Sequence, residues 1–302
     1  MKHNIKEWIL ATRPWSFPAS AMPVLVTFAY MIHTSKLHGI PVDILNGILS
    51  IIGIVFFHAA GNVMSDYMDY KKGVDKESNR PYMPLVNRTF TPSEYLRLST
   101  TLFIAGCIVG FAIMYRCGWP LIIAGAAGAL FAATYSTFKY NALGDLVIFG
   151  SYSIIPIMGT TYAVSSTYYY PALVLALPVG LITVAILHVN NTRDADDDRK
   201  AGIHTFAMLI GEDASLKLYA AEVLAPFALL AISVILGWLP LYSIVTLLAM
   251  PQAWKCARIM LAAKEKGLAS IAPLDEATAK LQSIFSILLT ISLLMEIGRA
   301  HV

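Results

Sequence analysis

The stretch ILNGILSIIGIVFFHAAGNVMSDYMD, residues 44–69, decides the fold: a long apolar run ends abruptly in an asparagine and two carboxylates. Residues 44–65 are enough to cross a hydrocarbon core of about 30 Å at about 1.5 Å per helical residue. The rest of the chain repeats the pattern, with 57% of its 302 residues hydrophobic and only 14% charged, and a mean hydropathy of +0.63. Eight further apolar stretches read the same way, at 17–34, 97–115, 119–137, 144–165, 171–190, 216–236, 239–260 and 279–297. Backbone groups in lipid must be satisfied within their own segment, so the expectation is an all-α membrane protein built as a bundle of nine transmembrane helices. A single polytopic domain over residues 1–302 is expected, because no soluble domain or flexible linker interrupts the spans.

Composition excludes several classes. A net charge of +3 is too small for nucleic-acid binding. Cys107, Cys117 and Cys256 are too few for a disulfide framework, lack metal-ligand spacing, and read as packing residues. The basic start MKHNIKEWILATRPWSFPAS lacks the compact apolar region and small-residue cleavage site of a signal peptide. The last six residues, IGRAHV (297–302), match the translation of a sequencing-adapter oligonucleotide and are expected to be an artefactual terminus. No role is assigned to Arg299 or His301.

Basic residues alternate by membrane side. Lys2, Lys6 and Arg13 precede the first span, Lys71, Lys72, Lys76, Arg80 and Arg88 follow the second, and Lys139 follows the fourth. Arg193, Arg199 and Lys200 follow the sixth, and Lys255, Arg258, Lys264 and Lys266 the eighth, whereas the opposite loops carry isolated cations such as Lys36 and Arg116. The positive-inside rule then predicts a cytoplasmic N-terminus, an external C-terminus and a cytoplasmic position for the long polar loops at 66–96, 191–215 and 262–278.

Spans two and six end alike, in NVMSD and NNTRD, each with asparagine four residues before aspartate. Asn62 and Asp66 share a helix face with Asp69, and Asn190, Asp194 and Asp198 form a second ladder of the same kind. Four spans separate the ladders, so both meet the same face of the membrane. Two carboxylates about 5 Å apart repel by roughly 3 kcal/mol at an effective dielectric near 20, so facing ladders need cations. Lys71, Lys72, Arg193 and Arg199 could supply them in a solvated loop. The other cation is Mg2+, which prefers oxygen ligands and binds one or two carboxylates together with substrate phosphate oxygens. Ions held this way stabilise the charge that develops on a departing diphosphate, and in a membrane protein the natural substrate is a lipid-tailed diphosphate.

At this point the chain resembles the UbiA superfamily of intramembrane prenyltransferases. NVMSDYMDYKKGVD resembles that family's first aspartate-rich motif and NNTRDADDDRKAGIHTFAMLIG its second. The resemblance implies nine helices, a site at the cytoplasmic ends of the second and sixth, and transfer of a polyprenyl group from polyprenyl diphosphate to an aromatic acceptor. It implies Asp66, Asp69, Asp194 and Asp198 as catalytic residues that hold Mg2+ with Asn62, and Asp75 as an outer participant. Within the superfamily, Asp66-Tyr67-x-Asp69 with Gly73 and Asp75, and NNTRD with Arg193, look like the 1,4-dihydroxy-2-naphthoate polyprenyltransferases of menaquinone synthesis, enzymes of a bacterial inner membrane. Ser65 departs from that pattern, and NRPYMP (79–84) is similar to the 4-hydroxybenzoate branch.

The remaining candidates have two readings each. Tyr135 and Lys139, four apart at the end of span four, are an interfacial aromatic with a topological lysine, or, by the resemblance, groups that contact the diphosphate. Arg13 and Arg193 are a topological cation and a salt-bridge partner, or diphosphate ligands. Asn62 and Asn190 count among the substrate-binding residues. His58 and His188 are ionisable groups within spans, either satisfied by buried partners or turned toward the acceptor, and Glu222 in span seven is either near an interface or pointing into the cavity. A function of another class, cation-coupled transport, would place acids near the bilayer midplane on broken helices rather than at helix ends on one side.

Overall fold

The computed structural model describes residues 3–72, 84–200 and 202–295, with the side chains of 72, 132–137, 139 and 140 left out of the description. All regular structure among the described residues is helical: α1 (Ile5–Ala11), α2 (Pro18–His38), α3 (Ile44–Lys72), α4 (Pro92–Cys117), α5 (Leu121–Tyr140), α6 (Gly144–Phe149), α7 (Ile155–Ser165), α8 (Ala176–Arg193), α9 (Ala195–Lys200), α10 (Phe206–Ile210), α11 (Glu212–Ile235), α12 (Met250–Lys266) and α13 (Leu274–Met295). Short helical segments of tighter pitch occupy Pro14–Ser16, Tyr170–Leu175, Leu241–Ala249 and Leu268–Ile271, and a wider π turn, Gly150–Ile154, joins α6 to α7.

Among the described residues, six segments are long and apolar enough to cross a membrane: Ile44–Lys71, Pro92–Cys117, Gly144–Ser165, Tyr170–Arg193, Glu212–Ile235 and Leu268–Met295. The other three expected spans fall on α2, on α5, and on Leu241–Ala249 with α12. The outer surface has the character lipid requires. On α4, Phe103, Ile108 and Phe111 are each more than half exposed, an apolar surface that water would not tolerate over this length.

Local chemistry sets the helix ends. Asn4 with Glu7, and Thr91 with Glu94, form capping boxes that start α1 and α4, and Pro92 occupies the first turn where its missing N–H costs nothing. Gly39, at φ 68°, closes α2 in the left-handed conformation that a side chain would resist. Gly180 has a different reason to be glycine: a Cβ there would lie 2.6 Å from Ser153 Oγ. Without it α8 lies directly on the π turn, and Ser153 Oγ donates to the Ala176 carbonyl at 2.8 Å.

The main core lies among α2, α8, α11, α12 and α13, where Met31, Ile182, Tyr219, Phe227, Met260 and Phe285 are fully or almost fully buried. Phe227 and Phe285 meet edge to face at 5.4 Å, a geometry favoured by the ring quadrupoles. α2 packs against both α3 and α8, and α13 packs against α2 and α8.

Cross-links between helix ends divide the bundle into two faces. On one, Asp213 pairs with Lys264, Arg193 with Asp275, and the Ala142 N–H donates to the His204 carbonyl at 2.9 Å. On the other, Arg116 donates from Nε to Asn46 Oδ1 at 2.9 Å and pairs with Asp43, while Asn46 Nδ2 donates to the Ala163 carbonyl at 2.8 Å. The Asn46 backbone N–H, and then Arg116, hold the Asp43 carboxyl below its usual range. This clamp is therefore complete above the ordinary carboxylate pKa and is lost as acid protonates Asp43.

On α13, Gln282, Ser286 and Thr290 repeat at helical spacing, and their buried polar atoms, including both ends of the Gln282 amide, have no hydrogen-bond partner among the described residues. An unmade buried hydrogen bond costs about 1–3 kcal/mol. Gln282→Met, which conserves volume, is expected to raise stability by about that amount, seen as a higher midpoint of thermal unfolding in detergent. A lower midpoint would show that the amide is satisfied.

Candidate active site

The C-terminal half of α3 presents one face, His58, Asn62 and Asp66 at successive helical turns, to the segment between α1 and α2. Asn62 Nδ2 donates to the Thr12 carbonyl and to Ser16 Oγ, each at 2.9 Å. These bonds bracket Arg13, whose φ of 55° is left-handed, a conformation that costs a non-glycine residue about 1–3 kcal/mol. The strained backbone sends the guanidinium toward α3, where its Nη1 donates to Asp66 Oδ1 at 3.2 Å. Both amide hydrogens of Asn62 are thereby committed, and Oδ1 is the atom it can offer an ion. Asp69, one turn on, is partly buried.

His58 is the satisfied histidine of its two readings. Its Nδ1 is 2.7 Å from Ser20 Oγ, its Nε2 is 3.3 Å from Ser16 Oγ, and its ring packs edge-on against Tyr152. It fastens α3 to the start of α2.

The second ladder crosses a helix break. α8 stops at Arg193, Asp194 takes a non-helical conformation, and α9 restarts at Ala195. The register survives, because the Asp194 N–H donates to the Asn190 carbonyl and the Asp198 N–H to the Asp194 carbonyl, both at 2.9 Å. Asn190 Nδ2 donates to the Ile186 carbonyl at 3.0 Å, which again leaves an amide oxygen for an ion. Arg193 clasps Asp194 through both carboxylate oxygens, at 2.7 and 2.8 Å, and lies 3.8 Å from Asp275 at the start of α13.

The four acids of this motif are sorted by the break. Asp196 and Asp197 are 77% and 65% exposed and pair with Arg199 and Lys200 one turn on, whereas Asp194 is 34% exposed. Asp198 is also partly buried. The solvated-loop reading thus describes Asp196 and Asp197, and its Arg193 pair forms on Asp194, which keeps the ladder register with Asp198. Pro14–Ser16 packs on α13, whose first turn carries Asp275, so the Asp66–Arg13 and Asp194–Arg193 pairs flank the same end of that helix.

Tyr135 and Lys139 lie on the last turns of α5, at the same face, where the Ala142 to His204 hydrogen bond ties the end of α5 to the loop after α9; their side chains lie outside the described set. Gly73, Asp75, Lys76, Arg80, the terminus from residue 297 and all of NRPYMP except Pro84 lie outside the described residues.

A constellation that the sequence shows only as separate residues is Asp145, His188 and Glu222, buried together between α6, α8 and α11. The signal was the presence of three ionisable side chains within or bordering apolar spans. Their convergence depends on helix packing, which spacing along the chain does not reveal.

This is an integral membrane protein whose polar face gathers oxygen ligands and guanidinium groups at the ends of two non-adjacent helices. The chain belongs to the UbiA prenyltransferase family, whose model matches residues 20–272. It is a prenyltransferase. It is similar to the "UbiA prenyltransferase domain-containing protein 1 homolog" of Drosophila melanogaster, 33% identical over 96% of this chain and 79% of that one. It is also similar to UbiA prenyltransferase domain-containing protein 1 of Homo sapiens, 33% identical over 85% of this chain and 76% of that one. These are animal proteins, and they lend no support to a bacterial inner membrane. Among solved structures, a UbiA homologue from Aeropyrum pernix K1 superposes with a TM-score of 0.64 at 18% identity, covering 89% of this chain and 97% of that one. A UbiA homologue from Archaeoglobus fulgidus bound to GPP and Mg2+ superposes with a TM-score of 0.61 at 12% identity, covering 95% and 99%. These two show the shared fold.

The sorting of acids predicts unequal effects in a radiolabelled prenyl-transfer assay. Asp66→Ala and Asp194→Ala should each lower turnover by about 10²-fold or more, while Asp196→Ala and Asp197→Ala stay within about twofold, the scale of a surface ion pair.

Proposed function

We propose that the protein carries out Mg2+-dependent transfer of a polyprenyl group from polyprenyl diphosphate to an aromatic acceptor, most specifically 1,4-dihydroxy-2-naphthoate. The observation that carries this reading is the pair of Asn-x-x-x-Asp ladders at one face, each with an arginine on its aspartate. Asn62, Asp66, Asp69, Asn190, Asp194 and Asp198 form an all-oxygen donor set that suits a hard cation, and the solved relative bound to GPP and Mg2+ has this fold. Mg2+ bound there would neutralise the charge of a departing diphosphate.

The chain's own residues do the rest. Arg13 and Arg193 keep the two aspartates paired and in place, and both guanidinium groups lie where they can bind phosphate oxygens. Tyr135 and Lys139 join them at the end of α5, the lysine as a further cation for the diphosphate and the tyrosine as a hydrogen-bond donor or as an aromatic face for the allylic cation. The apolar bundle excludes water from that cation. An electron-rich ring carbon of the acceptor forms the new C–C bond, and with dihydroxynaphthoate the carboxylate leaves that carbon as CO2. No protein nucleophile takes part.

All nine helical segments are proposed to cross the bilayer, with the acid face and the N-terminus in the cytoplasm. Lys71, Arg88, Arg199, Lys200 and Lys266 at that face, against Lys36 and Arg116 at the other, support this orientation. The position of the ladders at helix ends on one side favours transfer chemistry over cation-coupled transport.

Membranes containing the protein, given labelled polyprenyl diphosphate, Mg2+ and either 1,4-dihydroxy-2-naphthoate or 4-hydroxybenzoate, are expected to yield a prenylated naphthoquinol only. An Asp66→Ala, Asp194→Ala variant should yield none. Product with 4-hydroxybenzoate alone would keep the chemistry and overturn the acceptor.

A further inference from the structure

Between α6, α8 and α11, His188 is fully buried, and Asp145 and Glu222 are 9% and 6% exposed. His188 Nδ1 is 3.0 Å from Asp145 Oδ2 and 3.5 Å from Glu222 Oε1. The hydrogen bonds around the ring place a proton on Nε2. Thr192 Oγ1 donates to the His188 carbonyl at 2.8 Å, so in its 2.6 Å contact with Ser215 it is the acceptor. Ser215 has then spent its one hydrogen, and its 2.8 Å contact with His188 Nε2 requires the ring N–H to be the donor. With Nε2–H committed to Ser215, Nδ1 is the ring nitrogen that faces the two carboxylates.

Two carboxylates converging on one imidazole nitrogen in a buried space require positive charge, either a proton on Nδ1 or a metal ion. No lysine or arginine among the described residues pairs with Asp145 or Glu222, and Glu222 Oε2 is buried without a hydrogen-bond partner. The spacing suits a metal. An ion about 2.0–2.2 Å from nitrogen and oxygen ligands in a tetrahedron sets those ligands roughly 3.4 Å apart, close to the 3.0 and 3.5 Å seen here. One atom from each of the three side chains lies within 4.8 Å of the others. The outer bonds that orient metal ligands are also in place: Nε2–H to Ser215, and Asn191 Nδ2 to Asp145 Oδ1 at 3.2 Å.

We propose that Asp145, His188 and Glu222 form a buried site for a divalent transition-metal ion of the Zn2+ class, distinct from the oxygen ladders at the bundle face. An imidazole nitrogen with carboxylates selects such an ion over Mg2+, and Glu222 Oε2 is the atom a bidentate carboxylate brings to it. The ion ties α6 and α11 to α8 just before Asn190, and so stiffens the helix end that carries the second ladder.

The test uses full-length protein in detergent, stripped with a chelator, incubated with Zn2+ in excess Mg2+ and desalted. The expected result is about one zinc per chain by mass spectrometry, retained in an Asp66→Asn, Asp194→Asn variant and lost in both His188→Asn and the isosteric Glu222→Gln. Zn2+ should raise the unfolding midpoint of the wild type and not of monodisperse Glu222→Gln, and Co2+ in its place should give visible ligand-field absorption. Zinc that is absent from the wild type, or that follows Asp66 and Asp194 instead, would overturn the proposal and leave protons as the charge that satisfies the cluster.

Discussion

A carboxylate cannot sit unpaired in hydrocarbon, and the arrangement of this bundle follows from that constraint. Acids that border the apolar spans meet it in two ways. At helix ends, Asp66 has Arg13, Asp194 has Arg193, Asp43 has Arg116, and Asp213 has Lys217 and Lys264. Deeper in the bundle, Asp145 and Glu222 have His188. Because the helix-end pairs need a cation each, the connections are cross-linked, and those cross-links hold the two ladders on one face. Asp66 and Asp194 are paired by arginines, whose guanidinium groups also suit phosphate. The same charge balance therefore serves the protein before and after an anionic substrate arrives.

Much of the fold was legible in residues 44–69, where an apolar run passes into carboxylates within one helix and α3 extends without a break from Ile44 to Lys72. The Asn-x-x-x-Asp spacing was legible because i and i+4 share a helix face. The break at Asp194 was not, since nothing in NNTRDADDD marks a stop, yet the hydrogen-bond register carries the ladder across it. Nor could the sequence separate Asp196 and Asp197 from Asp194 and Asp198, because four acids in five residues face all sides of a helix.

Contacts between distant segments were the least legible. Arg13 reads as a topological cation, and its role as the partner of Asp66 depends on a left-handed backbone held by Asn62, fifty residues away. His188 and Glu222 read as separate ionisable groups within spans, and only the packing of α8 on both α6 and α11 brings them together with Asp145. Family membership follows from the whole pattern, whereas the acceptor depends on cavity shape, which the motifs do not encode.

In the proposed chemistry the two ladders together would hold the cations that neutralise one diphosphate. The most direct test is electron paramagnetic resonance of Mn2+ bound to the purified protein with a non-hydrolysable prenyl diphosphate analogue. The account predicts hyperfine coupling of Mn2+ to phosphorus, weakened by Asp66→Asn and by Asp194→Asn individually. Phosphorus coupling that survives either substitution unchanged would show that one ladder does not hold the metal, and would contradict the account.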